Sequence, residues 1–112
     1  MEVVNPVRQA VELVLFSLKP DTDEVAFLAL NATVQTYINT LPGFVYRALC
    51  KQSDGIWQDI VFWQDRVAAL HAQQLFMKSE ACVTWLAMID PASINMQHSE
   101  VMFAKLAERL AS

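Results

Sequence analysis

The sequence predicts an α+β domain, a single antiparallel sheet of four strands with two helices across one face and a short helix at the C-terminus. Three observations carry that class. Runs rich in β-branched and aromatic residues alternate with stretches whose apolar residues recur every three or four positions. Asp or Ser opens the helical stretches, and Pro or Gly closes the first two. An Asp-Gly pair joins the second and third strand runs, a strong hairpin signal. The resulting order is β-α-β-β-α-β.

Val11 to Lys19 reads as the first strand, apolar on both alternating faces except at Glu12 and ended by Pro20. Asp21, Thr22 and Asp23 form an N-cap cluster, and Glu24 in the first turn suits the helix dipole. Phe27, Leu30, Val34, Ile38 and Leu41 then fall on one helical face, which Pro42-Gly43 terminates. Phe44 to Lys51 and Ile56 to Trp63 are the second and third strands, turning at Asp54-Gly55. Asp65 caps a helix through Arg66, Ala68, Leu70, Ala72, Leu75 and Phe76. A further helical stretch runs from Ser79 to Ile89, either continuous with it or broken near Lys78-Ser79, and stops at Asp90-Pro91. Ser93 to Met102 alternates weakly as a fourth strand, and Ala104 to Ala111 reads as a terminal helix with Leu106 and Leu110 inward. One hairpin with two helical crossovers is the ferredoxin-like, split β-α-β arrangement.

With 112 residues the chain has room for one domain, spanning 1–112. It is 54% hydrophobic and 18% charged, too apolar for a disordered segment. A net charge of −4, with eight scattered basic residues, disfavours nucleic-acid binding. No apolar run approaches the roughly 20 residues of a membrane span, and the expectation is a soluble cytoplasmic protein. Cys50 and Cys82 form no metal-ligand pattern and are expected as buried, reduced thiols. So much apolar side chain is hard to hide in one copy of so small a domain, which points to an oligomer.

The chemistry-bearing candidates are polar residues on apolar strands. If the hairpin turn has even length, Tyr46 shares a face with Asp59, Val61 and Trp63, while Arg47 shares the other with Ile60. An odd loop reverses one strand. Enclosed among aromatics, Asp59 would be a general base with a raised pKa; at a strand end or dimer rim it would pair with Arg47 or solvent. Glu12 on the first strand, and His98 with Glu100 on the fourth, pose the same alternative between a ligand cavity and a wet edge. His71 sits at the border of the second helix's apolar stripe, either transferring protons or ligating, or bonded to a backbone carbonyl. No second ligand lies near it, so no zinc site is expected, and both glycines are used in turns, leaving no phosphate loop.

The run from Ile60 through Trp63, Asp65 and Leu70 to His71, together with Leu41-Pro42-Gly43-Phe44, resembles the dimeric α/β-barrel proteins of the antibiotic-biosynthesis-monooxygenase-like group. His71 follows Trp63 one position sooner than in that pattern, a rotation of about 100° on the helix. Haem-degrading members use an Asn, a Trp and a His; Asn5 precedes the first strand, so that triad does not carry over. The resemblance implies a homodimer whose sheets form a barrel, with a pocket between each sheet and its helices. Some relatives oxygenate phenolic polycyclic compounds without metal or flavin; others have no known reaction.

The expected function is therefore a cofactor-independent monooxygenase acting on a small phenolic or polycyclic aromatic compound. Asp59 or His71 would take the proton, and Tyr46, Trp63 or His98 would hold the oxyanion or the ring, with Glu12 beside them. No cofactor or metal is expected. The alternative is a non-catalytic homodimer that binds a small hydrophobic ligand or another protein. An amino-acid-sensing module shares the element order, but its glycine-bearing first turn is missing from Pro20 to Asp23.

Overall fold

A computed structural model describes residues 7–107. Its elements are β1 (Ala10–Phe16), α1 (Glu24–Ile38), β2 (Phe44–Lys51), β3 (Trp57–Trp63), α2 (Arg66–Phe76), α3 (Glu80–Leu86) and β4 (Asn95–Glu100). They form one antiparallel sheet in the order β2-β3-β1-β4, with the helices on one face, the ferredoxin-like α+β arrangement.

Local chemistry sets the boundaries. The Asp23 carboxylate accepts the Val25 and Ala26 amides at the start of α1. Asp65 accepts from Ala68 in α2, and Ser79 accepts from Cys82 in α3, so the second helical stretch is broken after Lys78. Asp90-Pro91 opens a single 3-10 turn, Pro91–Ser93, before β4. β1 is shorter than the expected run to Lys19. Ser17 leaves the ladder to receive the Asp90 amide, and Lys19 donates to the Met88 carbonyl, which ties the loop after β1 to the end of the helical layer.

Two expectations are corrected. The β2–β3 register pairs Lys51 with Trp57, which leaves five loop residues between them, an odd number. Arg47 and Leu49 therefore share the helix-covered face with Asp59, Val61 and Trp63, while Tyr46 and Cys50 turn to the open face. A bulge between Phe44 and Tyr46 brings Phe44 back opposite Trp63. The second correction concerns residues 104–107, which are not helical; Leu106 is exposed rather than inward. A short helix needs a packed face to persist in water, and these residues have none. Asn5 and residues 108–111 of the expected helix lie outside the described residues.

The buried core is aromatic at one end of the molecule. Phe27 of α1 stacks on Trp85 of α3 at 4.9 Å and meets Trp57 edge-on at 5.2 Å, with Phe16 against all three. Packing changes toward the other end. There α2 turns Ala69 and Ala72 inward toward Val61 and Trp63, and small side chains leave space unfilled.

Candidate functional site

That space is a cavity of about 450 Å³ between the sheet and the helices. Its sheet wall carries Glu12, Val14 and Phe16 from β1, Arg47 from β2, Asp59, Val61 and Trp63 from β3, and Met96 from β4. Trp85, Leu86, Ala72 and Phe76 close it from the helical side, and Gln73, Gln74, Met77 and Ile94 also contribute. The wall is mostly carbon, with two ionisable pairs set into it.

The first pair is Arg47 and Asp59. Arg47 Nε and Nη2 donate to Asp59 Oδ1 and Oδ2 at 2.9 and 3.0 Å, a two-pronged contact, and Nη1 donates to Gln35 Oε1 of α1 at 3.1 Å. The guanidinium also lies 5.4 Å from the centroid of the Trp85 ring. Only 3% of the Arg47 side chain is exposed. Both Asp59 oxygens are thereby engaged by a buried cation.

The second pair is Glu12 and His98, directly opposite each other on the β1–β4 ladder and bonded through Oε2 and Nε2 at 3.1 Å. Burial pushes the Glu12 carboxyl above its ordinary value. The bond and charge of His98 pull the other way, and the Asp59 charge adds a smaller upward push. Glu12 is thus the cavity carboxylate that burial makes the readier to hold a proton, and no cation clamps it. The indole N–H groups of Trp63 and Trp85 are also buried, and among the described residues neither has a hydrogen-bond partner.

Most of the chain superimposes on solved structures of one fold. SnoaB, a cofactor-independent oxygenase from Streptomyces nogalater, matches at 15% identity with a TM-score of 0.60, covering 92% of this chain and 100% of that one. A candidate antibiotic biosynthesis monooxygenase from Chloroflexus aurantiacus matches at 9% identity and TM-score 0.63, covering 87% and 96%. A protein of unknown function from Nitrosomonas europaea matches at 16% identity and TM-score 0.66, covering 92% and 98%. The chain has the antibiotic-biosynthesis-monooxygenase-like fold. No family model matches the sequence, and no curated protein does. At these identities the likeness is one of backbone arrangement.

Within this fold, the structure brings Glu12, Asp59 and Trp63 together on the cavity wall and sets His98 against Glu12. It does not bring in the other two candidates. His71 lies on the outer, exposed side of α2, while its neighbours Ala72 and Gln73 line the cavity. Tyr46 is 57% exposed on the open face of the sheet, edge-on to Phe62. Gln35 and Trp85 were not singled out by sequence, and Arg47 entered only as the alternative partner of Asp59 at a strand end or dimer rim. An arginine in an otherwise apolar strand, twelve residues before Asp59 across a hairpin, was the available signal. Both cysteines are unpaired, but Cys50 is exposed and only Cys82 is buried. Among the described residues no group of three or more His, Cys, Asp or Glu side chains is placed to hold a metal ion. No helix among them is long and apolar enough to cross a membrane.

Proposed function

We propose that the protein is a cofactor-independent monooxygenase that oxidises a small phenolic or polycyclic aromatic compound in this cavity. The observation that carries the reading is one unclamped carboxylate, Glu12, in a carbon-lined chamber whose other carboxylate is neutralised by Arg47. The likeness of fold to an oxygenase that works without a cofactor supports it. Glu12 removes a proton from the enclosed phenol or enol, and the resulting carbanion reduces dioxygen directly. Carbon–oxygen bond formation gives a hydroperoxide. Loss of water then leaves a carbonyl, one oxygen atom going to product and the other to water. For 2-naphthol this is C10H8O plus O2 giving the 1,2-quinone C10H6O2 plus H2O, with the substrate supplying all the electrons. Trp63 and Trp85 carry buried N–H groups without partners among the described residues, and a turn of either ring toward the substrate would give a developing oxyanion its donor.

We also propose a homodimer formed through the open sheet face, where Val11, Leu13, Ile60 and Phe62 face away from the helices. The test of the reaction is oxygen uptake with 2-naphthol as probe. Uptake matched by quinone formation, falling by about 10²–10⁴ in Glu12→Gln, is expected. Naphthol binding with no oxygen uptake would replace the monooxygenase by a non-catalytic ligand-binding module.

A further inference from the structure

Accessibility rises from cavity to solvent along a single hydrogen bond. Glu12 lines the cavity with 14% of its side chain exposed, and its partner His98 stands outside that lining on edge strand β4 with 28% exposed. Their Oε2 and Nε2 atoms are 3.1 Å apart, and among the described residues Nδ1 of His98 has no partner. The other pair offers no comparable path, because Arg47 closes on both Asp59 oxygens and is itself sealed in.

We propose that His98 is a relay residue acting through Glu12, carrying the proton taken from substrate out to solvent and back. This rests on the oxidation reading above. Glu12 takes the substrate proton on a carboxylate oxygen and passes it to the lone pair of His98 Nε2. The imidazolium releases a proton from Nδ1 to water, and exchange with water restores the starting tautomer. Two protons leave the substrate by this route, one from its hydroxyl and one from C1 of the hydroperoxide, and two return, one to the peroxide anion and one to the departing hydroxide, so no net proton is lost or gained.

The surroundings of Glu12 favour one exit. From β3 it meets the negative charge of Asp59, and Arg47 of β2 lies beyond that carboxylate and is committed to it. From β4 it meets His98, with exposed Glu100 next on the same strand face. The nearby cavity residues of α2, Gln73 and Gln74, cannot titrate, and α1 and α3 bring Gln35 and Trp85.

The experiment is anaerobic hydrogen–deuterium exchange at C1 of 2-naphthol in D2O, read by mass spectrometry. Exchange reports removal and return of the proton without oxidation, and binding is read separately from quenching of tryptophan fluorescence. The intact protein is expected to exchange C1, and His98→Gln to bind naphthol normally but exchange about 100-fold more slowly. Added imidazole restores exchange in His98→Gln and fails to do so in Glu12→Gln. Unchanged exchange in His98→Gln, or a loss that imidazole does not repair, overturns the relay while oxygen uptake by the intact protein keeps the oxidation reading. Naphthol that binds the intact protein yet neither exchanges nor consumes oxygen overturns both.

Discussion

Arg47 and Asp59 are joined by two hydrogen bonds, and each makes the other tolerable in an apolar wall. Removing one leaves a buried charge without its counter-ion. Arg47→Met is expected to lower unfolding stability by about 3–5 kcal/mol, and Arg47→Met with Asp59→Leu to recover most of that loss. Urea midpoints of the two variants check this; equal losses would mean that the pair is solvated. Glu12 makes a different prediction, because its carboxyl is raised from the ordinary 4.5 in the folded chain, chiefly by burial. The folded protein then holds that proton more tightly than the unfolded chain. Its contribution to stability is fully present below 4.5 and is lost as pH climbs through the raised folded value. Glu12→Gln removes this dependence. The variant should match the parent in acid and gain on it steadily toward neutral pH, as urea midpoints across that range would reveal. A constant difference would contradict the burial of Glu12.

Among the elements, α2 depends on a close approach. Gly43 sits at φ +84°, and a Cβ there would lie 2.5 Å from the Cβ of Ala68, while its carbonyl accepts the Gln64 amide at 2.7 Å. Gly55 has φ +90° with nothing within 4 Å of the same added atom. Gly55→Ala should therefore cost only the left-handed backbone penalty, about 1–2 kcal/mol, whereas Gly43→Ala adds overpacking of about 1–3 kcal/mol by pushing α2 off the sheet. Chemical denaturation of the pair reads the difference. Equal costs would mean that α2 shifts freely. These elements were legible in the sequence because their signals are local. Asp23, Asp65 and Ser79 cap the helices that follow them, while α1 stops at Ile38 with Asn39 as its C-cap, ahead of the expected Pro42-Gly43. What depended on counting was not legible. The five-residue turn moves Tyr46 out of the site and Arg47 into it, and nothing in the strand residues themselves fixes that parity. Residues 104–107 of the expected terminal helix are not helical for a similar reason, since helical spacing at Leu106 says nothing about whether a surface exists to receive it.

At the scale of the whole molecule, the cavity could not be read from the chain, because it is what remains where α2 presents a residue as small as Ala72 to it. Its polar pairs need all four strands in register: Arg47 from β2, Asp59 from β3, Glu12 from β1 and His98 from β4. The sheet's other face carries the apolar excess that composition announced. Leu13 stands opposite Ile60 and Val11 opposite Phe62, on the face away from the helices of the described residues. Tyr46 and Cys50 share this face. A second copy laid on it would bury a standard interface of about 800 Å² per partner. Phe62→Glu puts a charge at the middle of that face without touching the helical core, and is expected to remain folded but sediment as a 12.6 kDa monomer. Val25→Glu, on the outer surface of α1 at 76% exposure, should leave the dimer intact. Cys50 supplies an internal reporter. Its thiol is exposed in the single chain, so covering the open face should slow its labelling in the parent, and Phe62→Glu should restore it. Cys82, fully buried and with its thiol pKa pushed up chiefly by that burial, stays unreactive in both unless the fold opens. Fast Cys50 labelling in the parent, or a parent that sediments as a monomer, would reject the proposed face-to-face dimer.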